Sequence, residues 1–347
     1  MGLTERTLSR LRATPLGLGG APFGNLFRAV SEDDAIATIS GALQSGVGYF
    51  DTAPHYGSGR SEARFGAALR DVPRERFLLS TKVGRLLTHD PTAPSAQHGY
   101  VDALPYAQHY DYTHDGVLRS LDESTARLGL DVIDIAYIHD IDVATHGTAQ
   151  PRHFRDAMKG ALPALARRKA EGAIGGFGLG VNDVQVCLDT LAVTDVDVIL
   201  FAGRYTLADQ SALARLLPLC EKRGVAVVAG GPFNSGILAS GAHPRDGSAP
   251  YFNYGPAPPE IVQRVAAIES VCAAHCVPLP AAALQFPRAH PAVANVLVGA
   301  RTTAELDANL IYARHPIPAA FWADLRAQGL VDPASPLPSD AQQAVTR

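Results

Sequence analysis

Gly116–Asp140 reads GVLRSLDESTARLGLDVIDIAYIHD, and its two halves carry different periods. Over Gly116–Leu128, apolar or half-apolar residues fall at Leu118, Leu121, Thr125 and Leu128. That spacing is the stripe of a helix packed on a sheet. Val132–His139 is instead a short run of β-branched and apolar residues that predicts a buried strand ending in one polar side chain, His139.

The same phrase recurs in both directions. Candidate strands are Leu16–Gly19, Tyr49–Asp51, Phe77–Lys82, Val132–His139, Ala173–Gly180, Val198–Phe201, Val225–Gly230 and Val293–Val298. Helix-like stretches lie between them: Asp33–Ser45, Ser61–Leu69, Gly116–Leu128, Met158–Glu171, Val184–Leu191, Gln210–Arg223, Glu260–His275 and Thr303–Tyr312. Strands alternating with such helices imply parallel βαβ units, and eight of them imply an α/β fold of the (β/α)₈, or TIM, barrel type. No composition shift or linker divides the chain, so residues 1–347 are expected to form one domain.

Two connections are long, Arg85–Asp111 and Asp140–Phe154. Both follow strands, which in a barrel puts them at the C-terminal face, where barrel active sites lie. The tail after Pro316, with the lone tryptophan Trp322, is a third candidate lid.

Composition narrows the function classes. The 347 residues are 47% hydrophobic with a net charge of −4, both signs being spread along the chain. No basic stripe offers itself to a phosphate backbone, so nucleic acid is not an expected partner. No apolar run reaches membrane-span length, and the start MGLTERTLSR lacks a signal-peptide core, so the expected location is the cytoplasm. Cys272, His275 and Cys276 cluster at helical spacing without a fourth ligand, which reads as small buried cysteines rather than zinc. No metal is expected.

Lysine is scarce, at four of the 30 basic residues. Lys159, Lys169 and Lys222 sit among charged neighbours, whereas Lys82 ends the strand FLLSTK. Asp51 closes GVGYFDTA, Tyr56 follows five residues later, and His139 ends VIDIAYIH. On successive strands of a barrel these four share one rim. A phenol, with a pKa near 10, is a poor proton carrier at neutral pH. An ammonium about 4 Å away, at an effective dielectric near 20, would favour the phenolate by roughly 4 kcal/mol. The expectation is therefore that Lys82 tunes Tyr56 as general acid/base, Asp51 aims Lys82, and His139 donates a hydrogen bond to the reacting oxygen.

With these residues in view, the chain resembles the aldo-keto reductase superfamily over nearly its full length. The resemblance rests on GVGYFDTAPHYGSGRSE, LLSTKVGR, RLGLDVIDIAYIHD and VLVGARTTAELDANL, in this order and spacing. It implies the tetrad Asp51, Tyr56, Lys82 and His139, and an extended nicotinamide dinucleotide across the barrel mouth. Consistently, no G-x-G-x-x-G or G-x-x-x-x-G-K-[ST] occurs.

The cofactor contacts that the resemblance implies fall in three places. Asn182, in Gly180-Val181-Asn182, would hold the carboxamide, with Val181 where the family usually has serine. Gly231, Pro232, Phe233, Asn234 and Gly236 would cover the pyrophosphate. Gly299, Arg301, Thr302, Glu305 and Asn309 would line the adenosine end. Gly230 stands where many members carry a ring to stack on nicotinamide, and Tyr205 is expected to supply one instead. NAD is the expected preference, with NADP possible. His55, Tyr56, His139 and Trp322 are the expected substrate contacts. HDIDVATHG, LFAGRYTLADQ and GGPFNSGIL are most similar to the bacterial branch of aldose 1-dehydrogenases (L-fucose and D-threo-aldose types) and pyridoxal 4-dehydrogenase. That branch implies a sugar or carbonyl substrate and oxidation of a hemiacetal carbon to a lactone. Two other readings compete: a non-enzymatic, cofactor-bearing regulatory subunit, and a glycosidase using Asp51 and Asp140 as its carboxylates.

Overall fold

Eight parallel strands close into a barrel in the computed structural model, which describes residues 2–14 and 16–338. The expected unit of 1–347 thus includes residues 1, 15 and 339–347, which lie outside the described residues. The strands are β1 (Gly17–Gly19), β2 (Tyr49–Asp51), β3 (Leu78–Val83), β4 (Ile135–His139), β5 (Gly176–Val181), β6 (Val198–Ala202), β7 (Ala226–Gly230) and β8 (Val293–Gly299). Each pairs with the next in sequence, and β8 pairs with β1 to close the ring.

Alternation along each strand sorts two buried sets. Tyr49, Leu78, Ile135, Tyr137, Val198, Leu200 and Val228 point inward and fill the barrel. Phe50, Leu79, Ala136, Ile138, Ile199 and Phe201 point outward, under the helices. Burial on both faces is why these strands read as continuous apolar runs. The helix His114–Leu128 packs on them through Val117, Ser120, Leu121, Ser124 and Leu128, so the buried stripe is rotated slightly from the expected one and leaves Leu118 and Thr125 half-buried. Thr113 caps its first turn by accepting from Gly116 N, and Gly129 ends it in the left-handed conformation.

The fold departs from expectation at five places. Glu5–Ala13, not foreseen, is a capped helix whose Leu11 joins the barrel-interior cluster; Asn295 of β8 donates to the Leu11 carbonyl at 3.0 Å. It plugs the end of the barrel opposite the strand C-termini. Arg85–Asp111 is not an irregular loop but carries an antiparallel hairpin, Arg85–His89 against Tyr106–Tyr110. In the described part of the tail after Pro316, Ala319–Ala327 is a helix that buries Phe321, Trp322 and Leu325, with Phe321 against His275 of the helix end at Ala274, so Trp322 packs in the outer core instead of covering the mouth; residues 339–347 of the tail lie outside the described residues. The expected helix Gln210–Arg223 shortens to Leu216–Arg223, and an unforeseen one spans Leu279–Gln285.

Candidate active site

Strand register assembles the polar cluster. Asp51 on β2 pairs with Ser80 on β3, Lys82 with Tyr137 on β4, and His139 with Gly180 on β5. Paired residues in parallel strands face the same way, so all of them point into the barrel mouth. Asp51 is 1% exposed; one carboxylate oxygen accepts from Lys82 Nζ at 2.5 Å and the other from Ser80 Oγ at 2.6 Å. Lys82 Nζ also donates to the Thr52 carbonyl at 3.0 Å. Gly180 leaves room here: a Cβ would lie 3.2 Å from Tyr137 Cβ and 3.3 Å from the Lys82 stem, closer than ordinary contact. Beneath them Tyr49, Ser80 and Tyr137 hydroxyls bond to one another, a polar floor with every hydroxyl partnered.

Tyr56 stands on the turn after β2, and its backbone is clamped from both sides. Gly57, at φ +65°, packs on Gly24 so closely that a side chain on either would strike the other's backbone. The Tyr56 ring lies under Lys82 Nζ, 4.6 Å from the ring centroid, and meets the His139 ring edge-to-face at 6.1 Å. The ammonium sits over the ring face and is neutralised by Asp51, and burial, reinforced by Asp51, pushes the Tyr56 phenol well above its ordinary range. The resting residue is a neutral phenol.

His139 is buried, and burial, with the Arg85 and Lys82 charges, holds its imidazole well below the usual range, so it is neutral. Its Nε2 lies 3.3 Å from Asp140 Oδ2, while Nδ1 has no partner among the described residues. Tyr112 fixes the backbone by donating to the His139 carbonyl at 2.8 Å. His55 joins the group: Nδ1 contacts Gln108 Oε1 at 2.8 Å and Arg85 Nη1 at 3.2 Å, and burial followed by Arg85 lowers its pKa to about 3.

These groups line a cavity of about 440 Å³. Its rim comes from three loops: Leu26–Phe27, His98–Tyr100 and Tyr254. Phe27, His98 and Tyr254 are all in the left-handed region, a strain found where loops are shaped around a ligand. Of the residues foreseen as substrate contacts, His55, Tyr56 and His139 are brought together here. Trp322 is not; it is 1% exposed and packs on Phe321 in the outer core. Tyr205 is likewise corrected: it is 1% exposed and packs at a tilt on Phe286, with ring centroids 5.1 Å apart, and it is not among the cavity-lining residues. The ring on that wall is Tyr254, whose phenol meets the Asn182 side chain. The turn signal YFNYG was its only mark in the sequence. Arg85, ion-paired with Asp140 beside His139, was also missed, and Asp140 had been considered only as a glycosidase carboxylate.

The three foreseen cofactor segments surround the mouth unequally. Asn182 lines the cavity. In the loop after β7, Pro232 and Asn234 are buried and Phe233 half-buried. Asn234 is spent on the loop itself: its Nδ2 donates to the Gly203 carbonyl at 3.0 Å and its Oδ1 accepts from Thr206. A side chain at Gly236 would meet nothing, leaving backbone open to an anion. Gly299 abuts Pro22, Thr302 caps the helix Thr303–Arg314, and Asn309 Nδ2 lies 3.5 Å from the Gly299 carbonyl. Arg301 Nε is buried without a partner among the described residues. An open glycine, a helix N-terminus and an orphaned guanidinium nitrogen fit a pyrophosphate-bearing dinucleotide. Elsewhere, Cys272 is buried, Cys276 exposed, and His275 Nε2 pairs with Asp324 at 2.7 Å.

Comparison with known proteins gives a consistent result. Residues 15–328 match the sequence profile of the Aldo/keto reductase family. The chain is 43% identical over 339 residues to pyridoxal 4-dehydrogenase of Microbacterium luteolum, covering 94% of this chain and 98% of the relative. It is 41% identical over 321 residues to D-threo-aldose 1-dehydrogenase of a Pseudomonas species, covering 91% and 94%. A holo-form aldo-keto reductase from Bacillus halodurans shares the fold at a TM-score of 0.69 and 24% identity, over 94% of both chains.

Proposed function

The chain belongs to the aldo/keto reductase family and is an oxidoreductase of the dehydrogenase/reductase type; on that premise we propose that it oxidises the hemiacetal carbon of an aldose of the L-fucose or D-threo-aldose type to a lactone. The observation that carries this reading is the buried Asp51–Lys82 pair set against Tyr56 and a neutral His139 on one cavity wall. A nicotinamide dinucleotide, when bound, supplies the hydride acceptor. In oxidation Tyr56 acts as the phenolate: its oxygen takes the hydroxyl proton and becomes the neutral phenol, Lys82 favours the phenolate that precedes this step, and Asp51 with Thr52 keeps Lys82 aimed. His139 orients the reacting oxygen as a neutral donor. The glycosidase reading is disfavoured because Asp51 is bound by Lys82 and Ser80, and Asp140 by Arg85.

A second reading is pyridoxal, whose hemiacetal form presents the same reacting group. The flat rings of Phe27, Tyr100 and Tyr254 along the cavity favour it. The test is turnover by the purified protein with L-fucose, D-arabinose, L-galactose and pyridoxal, each with NAD and with NADP, followed by nicotinamide absorbance. Failure with all four under either cofactor overturns the proposal.

NAD is the preferred cofactor in this reading because of Glu305. Its Oε2 accepts from Arg301 N at 2.8 Å, so a carboxylate already occupies the N-terminal end of the helix Thr303–Arg314. A ribose 2′-phosphate there meets a like charge, while a free 2′-hydroxyl can donate to it. Arg301 opposes the effect, so the preference is modest: a surface repulsion of about 1 kcal/mol is roughly fivefold. Glu305→Arg should shift the NAD:NADP ratio of kcat/KM toward NADP by at least that factor. A wild type that already favours NADP, or an unmoved ratio, removes Glu305 from ribose reading.

A further inference from the structure

Asp140 follows His139 directly, and its backbone is left-handed at φ +47°, a conformation costly for a residue with a side chain. The structure maintains it from two sides. Asp140 N donates to the Gly180 carbonyl at 3.0 Å, and Tyr112 OH lies 3.2 Å from the Asp140 carbonyl. The effect is to turn the carboxylate back over the barrel mouth, where it lines the cavity beside His139.

The simplest role would be a counter-ion for Arg85, which is 6% exposed and also lies 4.8 Å from the Tyr110 ring centroid. That role occupies one oxygen only. Arg85 Nη2 donates to Oδ2, while His139 Nε2 lies 3.3 Å from that oxygen and keeps its proton for the reacting oxygen. Oδ1 has no protein partner among the described residues, and the side chain keeps 17% of its surface exposed on the cavity side. A carboxylate oxygen fixed through its twin and left open to a cavity is a prepared hydrogen-bond acceptor. Among the cavity-lining residues Asp140 is the only carboxylate, the strongest acceptor offered to a substrate hydroxyl there.

We propose that Asp140 is a specificity-determining residue that accepts a hydrogen bond from a substrate hydroxyl one or two atoms away from the reacting hemiacetal carbon. This deepens the function proposed above and rests on it. Asp140 directly follows His139 and lines the same cavity, so a hydroxyl close to a reacting oxygen seated at Tyr56 and His139 is the group it is placed to read. The required chemistry is the C2 hydroxyl of a sugar, on the adjacent atom, or the phenolic hydroxyl of pyridoxal, on the ring carbon one atom further. Arg85 is then a positioning residue, acting through Asp140.

The experiment compares kcat/KM for L-fucose against 2-deoxy-L-fucose, and for pyridoxal against its 3-deoxy analogue, in wild type and Asp140→Asn. A site built to bond a hydroxyl rejects the analogue that lacks it, so wild type should favour the hydroxylated member by at least about 100-fold. Asp140→Asn should lower kcat/KM on that member by about 10–100-fold and on the deoxy member by less than about threefold. The pair that shows the difference identifies the source of the hydroxyl. Equal losses on both members mean that Asp140 serves only Arg85, and overturn the proposal. Should Asp140→Asn fail to fold, Arg85→Met with Asp140→Leu removes both charges together and leaves neither orphaned, and the same ratio is read. A wild type that oxidises none of the four compounds overturns the underlying function instead, and this inference with it.

Discussion

Tyr56→Phe should lower kcat by at least 10²–10⁴-fold while leaving dinucleotide affinity within about twofold of wild type. The substitution removes one oxygen and keeps the ring, so the 4.6 Å contact with Lys82 Nζ and the 6.1 Å contact with His139 survive. The clamp of Gly24 on Gly57 is untouched as well. What disappears is the only phenol on that wall with a cation against its ring. The segments that fit a dinucleotide, around Asn182, Gly236 and Arg301, lie on other strands. Affinity is therefore a clean control, read by quenching of protein fluorescence or by calorimetry. A variant retaining more than a tenth of wild-type kcat would remove Tyr56 from proton transfer.

Lys82→Met should be costly twice over. Lys82 and Asp51 are 2% and 1% exposed, and removing one partner of a buried pair leaves an uncompensated charge at a cost of about 3–5 kcal/mol. Ser80 Oγ at 2.6 Å would remain as the carboxylate's donor, which is too little to replace an ammonium. The paired change Asp51→Asn with Lys82→Met should recover much of that stability but not activity, which separates the structural effect from the chemical one. The chemical effect has a sign. Burial already pushes the Tyr56 phenol upward; in the proposed role Lys82, 4.6 Å from the ring centroid, offsets part of that, so its loss pushes the phenol further up. Oxidation needs the phenolate, so the rising limb of the pH–rate profile moves to higher pH in Lys82→Met. A lower rate on an unmoved profile would make Lys82 purely structural.

Three of the four clustered residues were legible because each ends an apolar run with one polar residue, and strand geometry converts that position into a place on the rim; Tyr56, on the turn after β2, was marked only by its motif. Asp51, Lys82 and His139 needed only the period of two and the barrel closure to meet. The magnitude of their coupling was not legible. Whether Lys82 approaches the hydroxyl or the face of Tyr56 depends on side-chain torsions, and the partnership with Asp51 cancels most of the field that a free ammonium would exert. The same limit explains Tyr205 and Trp322. A ring near a strand end or in an apolar tail can face the mouth or the outer core, and local spacing is identical in both cases; packing on Phe286 and Phe321 decided for the core.

The rim was hidden for a different reason. RLLTH and YAQHY pair as a hairpin across sixteen intervening residues, with Leu87 opposite Gln108, yet neither run alternates cleanly enough to read as a strand. Gln108 reaches His55 only through that pairing. The helix Glu5–Ala13 carries just Leu8 and Leu11 as apolar anchors, so its stripe is too thin to stand out, although Leu11 is fully buried at the barrel floor. Asp140 was visible only as a carboxylate; its left-handed backbone, which turns it over the cavity, is a tertiary property.

The central claim is that Tyr56 drives oxidation of a cyclic hemiacetal in this barrel. Its most direct test is product analysis with NAD and either L-fucose or pyridoxal, counting lactone and reduced nicotinamide in the same reaction, for wild type and Tyr56→Phe. The account predicts that the two products appear in equal amounts with wild type and that both vanish together in the variant. Reduced nicotinamide without lactone, or lactone formed by Tyr56→Phe at more than a tenth of the wild-type rate, would contradict it.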